Sequence, residues 1–122
     1  MALNQITEKI IGCGITVHKN LGPGLLESIY ESALCIELEE SGLGFERQKS
    51  IPVIYKNKSI GEFRADLIVE NQIVVELKSV ERMDPVFHAQ VLSYMKLGDY
   101  KLGLLINFNS KMLKDGIKRF II

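Results

Sequence analysis

The hydrophobic pattern changes period at about residue 45, and that change dictates the class of fold. Before it, Leu3, Ile6, Ile10, Cys13 and Val17 recur at spacings of three and four, the pattern of a helix that buries one stripe. From Phe45 onward the period is two, with Ile51, Val53 and Tyr55 alternating against polar neighbours, as in a strand with one buried face. Helices that each need to cover an apolar stripe, followed by strands that each need to cover an apolar face, predict an α/β architecture.

Punctuation residues set the elements. Leu21-Gly22-Pro23-Gly24 ends the first helix, because Pro23 cannot continue it and glycines accept turn dihedrals. Gly12 and Gly14 lower the propensity of that helix without breaking its stripe. A second helix is expected from about Leu25 to Glu40, stopping at Ser41-Gly42. Three antiparallel strands follow: one from Phe45 through Tyr55, a second from Ile60 to Val69, a third from Ile73 to Val80. Lys56-Asn57-Lys58 and Glu70-Asn71-Gln72 form the turns.

Asp84-Pro85 pairs an N-cap acceptor with a first-turn proline. It starts a third helix that runs to about Leu97, with Gly98 as its stop. Leu102 to Phe108 is a nearly continuous apolar run, expected as a buried strand, and Ile117 to Ile122 can add an edge strand. The predicted order is α-α-β-β-β-α-β with a final β, a mixed central sheet flanked by helices.

With 122 residues, of which 47% are hydrophobic and 25% charged, the chain has the size and composition of one globular domain, residues 1–122, with its own core. Cys13 and Cys35 fall in predicted helices without CxxC spacing, so buried reduced thiols are expected. The segment Met1 to Lys9 has no apolar stretch flanked by basic residues, and nowhere do about 18 apolar residues run together. A cytoplasmic protein, neither secreted nor membrane-spanning, is the expectation. Fifteen basic residues balance fifteen acidic ones, which leaves no whole-molecule attraction for a phosphate polymer. Nucleic-acid binding has to come from local charge. One local excess exists, Lys101, Lys111, Lys114, Lys118 and Arg119 against Asp115 alone, and its plain reading is a solvated surface.

Charged groups interrupt the second and third strands. In Phe63-Arg64-Ala65-Asp66-Leu67-Ile68-Val69 and Ile73-Val74-Val75-Glu76-Leu77-Lys78-Ser79, a three-residue loop at 70–72 pairs Val69 with Ile73 and sets Asp66 opposite Glu76, Cβ atoms within about 5.5 Å. Glu76 and Lys78, two apart, then share a face with Asp66 and Arg64. Two adjacent carboxylates repel unless a cation lies between them, and a hard divalent ion prefers such oxygens. A lysine on the same face can position an attacking water and offset charge developing on a phosphate. The other reading of these residues is a cross-strand network in which Arg64 and Lys78 neutralise the two acids. A two-residue turn would instead send Asp66 to the opposite face from Glu76.

Asp66 followed by Glu76-Leu77-Lys78 resembles the D…(D/E)xK signature of the PD-(D/E)xK nuclease superfamily, and Gln90 with Tyr94 on the next helix resembles the QxxxY element of RecB-like and related exonucleases. More closely, Gly24-Leu25-Leu26-Glu27-Ser28-Ile29-Tyr30 looks like the motif that names the GxxExxY family within that superfamily. Arg64-Ala65-Asp66 and Leu105-Ile106-Asn107-Phe108 also follow that family's pattern. Asn109 stands where that pattern expects glycine.

The resemblance implies a restriction-endonuclease-like fold and metal-dependent phosphodiester hydrolysis of nucleic acid; it does not choose between DNA and RNA, and DNA is the expected substrate. It implies that Asp66, Glu76, the main-chain carbonyl of Leu77 and Glu27 hold Mg²⁺ or Mn²⁺, that Lys78 positions the attacking water, and that Gln90 and Tyr94 contact the substrate backbone or brace the site. Helix phase alone does not choose between Glu27 and Glu31, one turn apart. Tyr30 is expected to be structural, and His18 and His88, with no metal-ligand spacing, to pack or face solvent. A catalytically silent nucleic-acid-binding or protein-interaction module, and a subunit active only in a homodimer or larger assembly, are the alternatives.

Overall fold

A computed structural model describes residues 1–122. Its elements are α1 (Leu3–Leu21), α2 (Glu27–Glu40), β1 (Phe45–Tyr55), β2 (Lys58–Val69), β3 (Ile73–Lys78), α3 (Pro85–Gly98), β4 (Leu102–Asn107), a short 3₁₀ turn (Leu113–Gly116) and β5 (Ile117–Ile121). The strands form one five-stranded sheet in sequential order, antiparallel except for the parallel pair β3/β4. This is the mixed sheet and element order expected of a restriction-endonuclease-like core. No helix is long and apolar enough to cross a membrane.

Each face of the sheet buries its own cluster. Ile6, Ile10, Cys13 and Val17 of α1 and Tyr30, Leu34, Cys35 and Leu38 of α2 pack on Leu67, Val69, Val75 and Leu77. On the opposite face Val91 and Met95 of α3 pack on Ala65, Ile68, Val74 and Leu105. Both cysteines are free and buried in the first cluster, and burial pushes the Cys35 thiol upward.

Local chemistry explains the element ends. Gly22 and Gly24, at φ 70 and 95, carry the chain from α1 to α2 through dihedrals that a side chain resists. The Tyr30 hydroxyl holds that turn, donating to the Gly22 carbonyl at 2.5 Å and accepting from the Leu25 N–H at 3.1 Å, while its ring stacks on Phe108. Tyr30 is therefore structural, as expected. The second helix starts at Glu27 rather than Leu25, since Leu26 is still extended. The Asp84 carboxylate caps α3 by accepting from the Val86 N–H. α3 runs through Gly98, and the left-handed residue that ends it is Asp99, not Gly98. Gly98 stays helical, and a Cβ there would meet the Tyr100 ring at 2.4 Å, so close packing is its role. Asn109 has no positive φ, and its turn needs no glycine.

One irregularity shapes the site. In a regular strand residues two apart share a face, yet Ala65 belongs to the α3 cluster and Leu67 to the α1/α2 cluster. In β1, Phe45 packs toward α1/α2 and Ile51, of the same parity, toward α3. The register passes from Arg47↔Leu67 to Lys49↔Ala65 without insertion, so both strands change face at the facing residues Gln48 and Asp66. Gln48, at φ 49, carries the turn of the backbone. Beyond this point β1 and β2 continue as a two-stranded arm, fastened to α3 by Ile51 and by Phe63, whose ring stacks on Tyr94 at 4.0 Å.

Candidate active site

β2 and β3 pair in the register that the three-residue loop predicts, Val69↔Ile73, Ile68↔Val74 and Leu67↔Val75, and there the ladder stops. Where the strands part, the side chains of Asp66 and Glu76 bond main-chain N–H groups across the gap. The Leu77 N–H donates to Asp66 Oδ2 at 2.9 Å, and the Asp66 N–H donates to Glu76 Oε1 at 3.2 Å. Two carboxylates thus take the place of ladder carbonyls at the end of the sheet.

Asp66 sits at the face switch and is held from both sides. Toward α2, the Gln48 amide donates to Asp66 Oδ1 at 3.2 Å and to Glu31 Oε1 at 2.7 Å. Glu31 Oε2 in turn accepts from Arg47 at 3.1 and 3.0 Å. Glu31 is 8% exposed, and a buried carboxylate is tolerable because the guanidinium neutralises it. The same contact holds the Arg47 pKa above its usual value. The chain Arg47, Glu31, Gln48, Asp66 therefore fixes one oxygen of Asp66 while the Leu77 N–H fixes the other.

Toward α3 lies Glu76, 6% exposed. Burial pushes its carboxyl up to about 9 from an ordinary 4.5, and the Asp66 charge beside it adds to the rise. The Asp66 N–H and the Lys78 ammonium offset only part. Tyr94 faces the same pair, its hydroxyl raised first by burial and then by the charges of Glu76 and Asp66. The Lys78 ammonium lies 4.3 Å from the centre of the Phe87 ring, a cation–π contact. The Lys78 carbonyl accepts from the Phe108 N–H at 2.8 Å. Asn107 pins the segment that follows β3, accepting from the Val80 and Asn109 N–H groups and donating to the Val80 carbonyl.

A cleft of about 510 Å³ opens on the α2 side, lined by Leu25, Leu26, Glu27, Ser28, Glu31, Gln48, Asp66, Leu77 and Ser79. Its rim is tied to the sheet by the Ser79 hydroxyl, which donates to the Leu25 carbonyl. Glu27, exposed in the first turn of α2, shares this cleft with Asp66 and Leu77. Glu76, Lys78 and Tyr94 approach Asp66 from the α3 side. Gln90 is half-buried one turn before Tyr94.

Arg64 is not at the site. The face switch turns it away, and it lies 4.0 Å from Glu62 on the exposed arm, so the cross-strand network that would neutralise both acids through Arg64 does not form. His18 bonds the Ser110 carbonyl at 2.8 Å and His88 packs edge-on to Phe120, ordinary roles for both. Gln48 and Arg47 were not expected at the site. The only sequence signal for them is the polar run Glu46-Arg47-Gln48-Lys49-Ser50 inside an otherwise alternating strand.

The donor set suits a hard divalent ion. Its atoms are all oxygens, and the burial and like-charge repulsion that raise Glu76 are offset once a cation lies between the pair. No group of three or more His, Cys, Asp or Glu side chains is arranged to hold a metal ion. Two carboxylates leave room for a hydrated divalent ion, which takes one or two such ligands and keeps several waters. A family model, the PD-(D/E)XK nuclease superfamily, matches residues 4–120. No curated protein and no solved structure matches the chain.

Proposed function

The chain belongs to the PD-(D/E)XK nuclease superfamily, and from that premise we propose that it is a divalent-metal-dependent nuclease that hydrolyses phosphodiester bonds, those of DNA before those of RNA. The observation that carries this reading is the Asp66–Glu76 pair, two adjacent carboxylates where β2 and β3 part, the Glu76 carboxylate held by the Asp66 N–H and the Asp66 carboxylate by the Leu77 N–H, at a cost of burial and repulsion that a cation offsets. Gly24 through Tyr30 and the Gln90, Tyr94 pair support a place in the GxxExxY group, with residues 1–122 as one nuclease unit.

Asp66 and Glu76 hold the Mg²⁺ or Mn²⁺ ion in this reading, with the Leu77 carbonyl and, from across the cleft, Glu27. When bound, the ion supplies Lewis acidity at a phosphoryl oxygen and makes water easier to deprotonate. Lys78 positions the attacking water and offsets negative charge that develops on the phosphate. Gln90 and Tyr94 present an amide and a hydroxyl from one face of α3 to the substrate backbone. Gln48 acts through Asp66, and is a positioning residue.

The test is cleavage of single-stranded, duplex and supercoiled DNA, and of RNA, with Mg²⁺ or Mn²⁺. Wild type should cut at least one substrate, and Lys78→Ala should lose about 100-fold or more, as removal of one charge-stabilising group typically does. No cleavage by wild type on any substrate overturns the reading. The second reading is a non-hydrolytic nucleic-acid-binding or protein-interaction module, and it is favoured because no three of the acids are arranged to hold a metal ion. Metal-independent binding without cleavage would select it. A homodimer through the β5 edge, where Ile121 and Ile122 are exposed, is the assembly we propose, and sedimentation as a monomer at micromolar concentration would count against it.

A further inference from the structure

The α1 end and the segment after β4 come together at the same end of the sheet as the carboxylates. β3 and β4 are parallel, with Lys78 beside Asn107, so the chain that leaves β4 emerges at the end where Glu76 and Lys78 lie. There it meets the last turn of α1. The His18 ring donates to the Ser110 carbonyl, and Leu113 is buried against the gap left by Gly14, where a Cβ would stand 3.2 Å away. The two segments enclose a groove of about 280 Å³ with Ile15 and Leu113 in its lining and His18, Lys19, Lys111 and Lys114 around it.

The charge of this groove is one-sided. Residues 10–26 and 100–114 contain no Asp or Glu, and Asp115 is the first acid after Lys114. The helix dipole accounts for His18 and Lys19 at the C-terminus of α1. It does not account for Lys111 and Lys114, which belong to a different segment and are exposed. Both walls continue to the cleft. Residues 22–25 leave α1 and reach the cleft rim at Leu25 and Leu26, and Phe108 is bonded to the Lys78 carbonyl. The cations are therefore held on a fixed framework that runs into the carboxylate site.

We propose that the groove between His18-Lys19 and Lys111–Lys114 is a track for the phosphate backbone of a polynucleotide whose scissile region lies at Asp66 and Glu76. This deepens the nuclease reading and rests on it for the identity of the polymer. It also answers how a chain of zero net charge holds a polyanion, through a local cluster instead of overall attraction.

The probes are fluorescent single-stranded and duplex DNA, titrated by anisotropy at several salt concentrations with EDTA present, so that cleavage does not enter. Wild type is compared with Lys111→Ala/Lys114→Ala and with Lys96→Ala/Lys101→Ala, which removes the same charge from the other end of β4. Each lost phosphate contact lowers the log–log salt slope by about 0.9 on duplex and about 0.7 on single strands. The groove variant should therefore lose roughly 1.4 to 1.8 in slope and bind at least about tenfold more weakly, with the control near wild type. Equal losses in both variants, or no loss in the groove variant, overturn the track even if cleavage is normal. Wild type that binds neither DNA also overturns it. Displacement of DNA by poly-glutamate at lower charge concentration than by unlabelled DNA would assign the groove to an acidic protein instead. The expected slopes without cleavage in Mg²⁺ or Mn²⁺ would keep the track and sink the nuclease reading.

Discussion

Glu76 concentrates the energetics of the site in one side chain. Its carboxyl is raised to about 9 by burial and by Asp66, so between about pH 4.5 and pH 9 the folded chain holds a proton that the unfolded chain releases. Stability without divalent cation must then fall as pH rises through that window, by on the order of 1 kcal/mol per pH unit where the difference is complete. Glu76→Gln removes the titrating group while keeping its shape and one acceptor. The variant should show a flatter stability profile and exceed wild type at pH 8, measured by urea unfolding in EDTA. A wild-type profile flat from pH 5 to pH 9 would contradict the buried, uncompensated carboxylate. The meeting of Asp66 and Glu76 was legible because loop length sets hairpin register, and the count of residues 70–72 is plain in the chain. Gln48 was not legible, because its hold on Asp66 depends on a left-handed residue inside a strand, and no local rule asks glutamine to adopt that conformation. Gln48→Ala should lower metal-dependent cleavage through Asp66 while shifting stability little, and rescue by Gln48→Asn would show that the amide is the acting group.

The helices and strands followed their periodicity closely, and departures arose where tertiary contacts overrule local preference. Gly98 has the conformational freedom of a stop, but the Tyr100 ring against it makes closeness its use, and Asp99, which tolerates left-handed dihedrals, ends α3. The face switch at Gln48 and Asp66 was hidden because Phe45, Ile51, Val53 and Tyr55 keep one parity along the chain even though Phe45 and Ile51 pack in different clusters. The start of α3 was readable from Asp84-Pro85 and has a measurable worth. Asp84→Ala leaves the Val86 N–H without its acceptor and should cost about 1 kcal/mol, seen as a lower urea midpoint with unchanged slope. Because α3 also carries Tyr94 and Phe87 toward the site, fraying of its first turn should loosen Phe87 from Lys78 and lower cleavage further than stability alone explains.

Across the whole molecule the charges segregate, and the sequence showed only half of the pattern. Residues 20–46 hold Glu27, Glu31, Glu37, Glu39, Glu40 and Glu46 with no Lys or Arg, and the basic C-terminal residues are legible in the same way. What the sequence did not show is that the fold brings Lys111 and Lys114 beside His18 and Lys19, because that contact spans most of the chain. The proposed divalent site would couple these scales. In the proposed reading, an ion held by Asp66 on β2 and Glu76 on β3 would bind the folded chain alone and would add stability that grows with concentration, about 2.7 kcal/mol at a hundred times its dissociation constant. Glu76 must give up its proton to take part, so affinity should climb close to tenfold per pH unit until the pH approaches about 9. Thermal unfolding with and without Mg²⁺ tests both at once. The rise in Tm should be greater at pH 8 than at pH 6 in wild type, absent in Asp66→Asn, and independent of pH in Glu76→Gln if any remains. A rise of equal size at both pH values in wild type would place the ion away from Glu76.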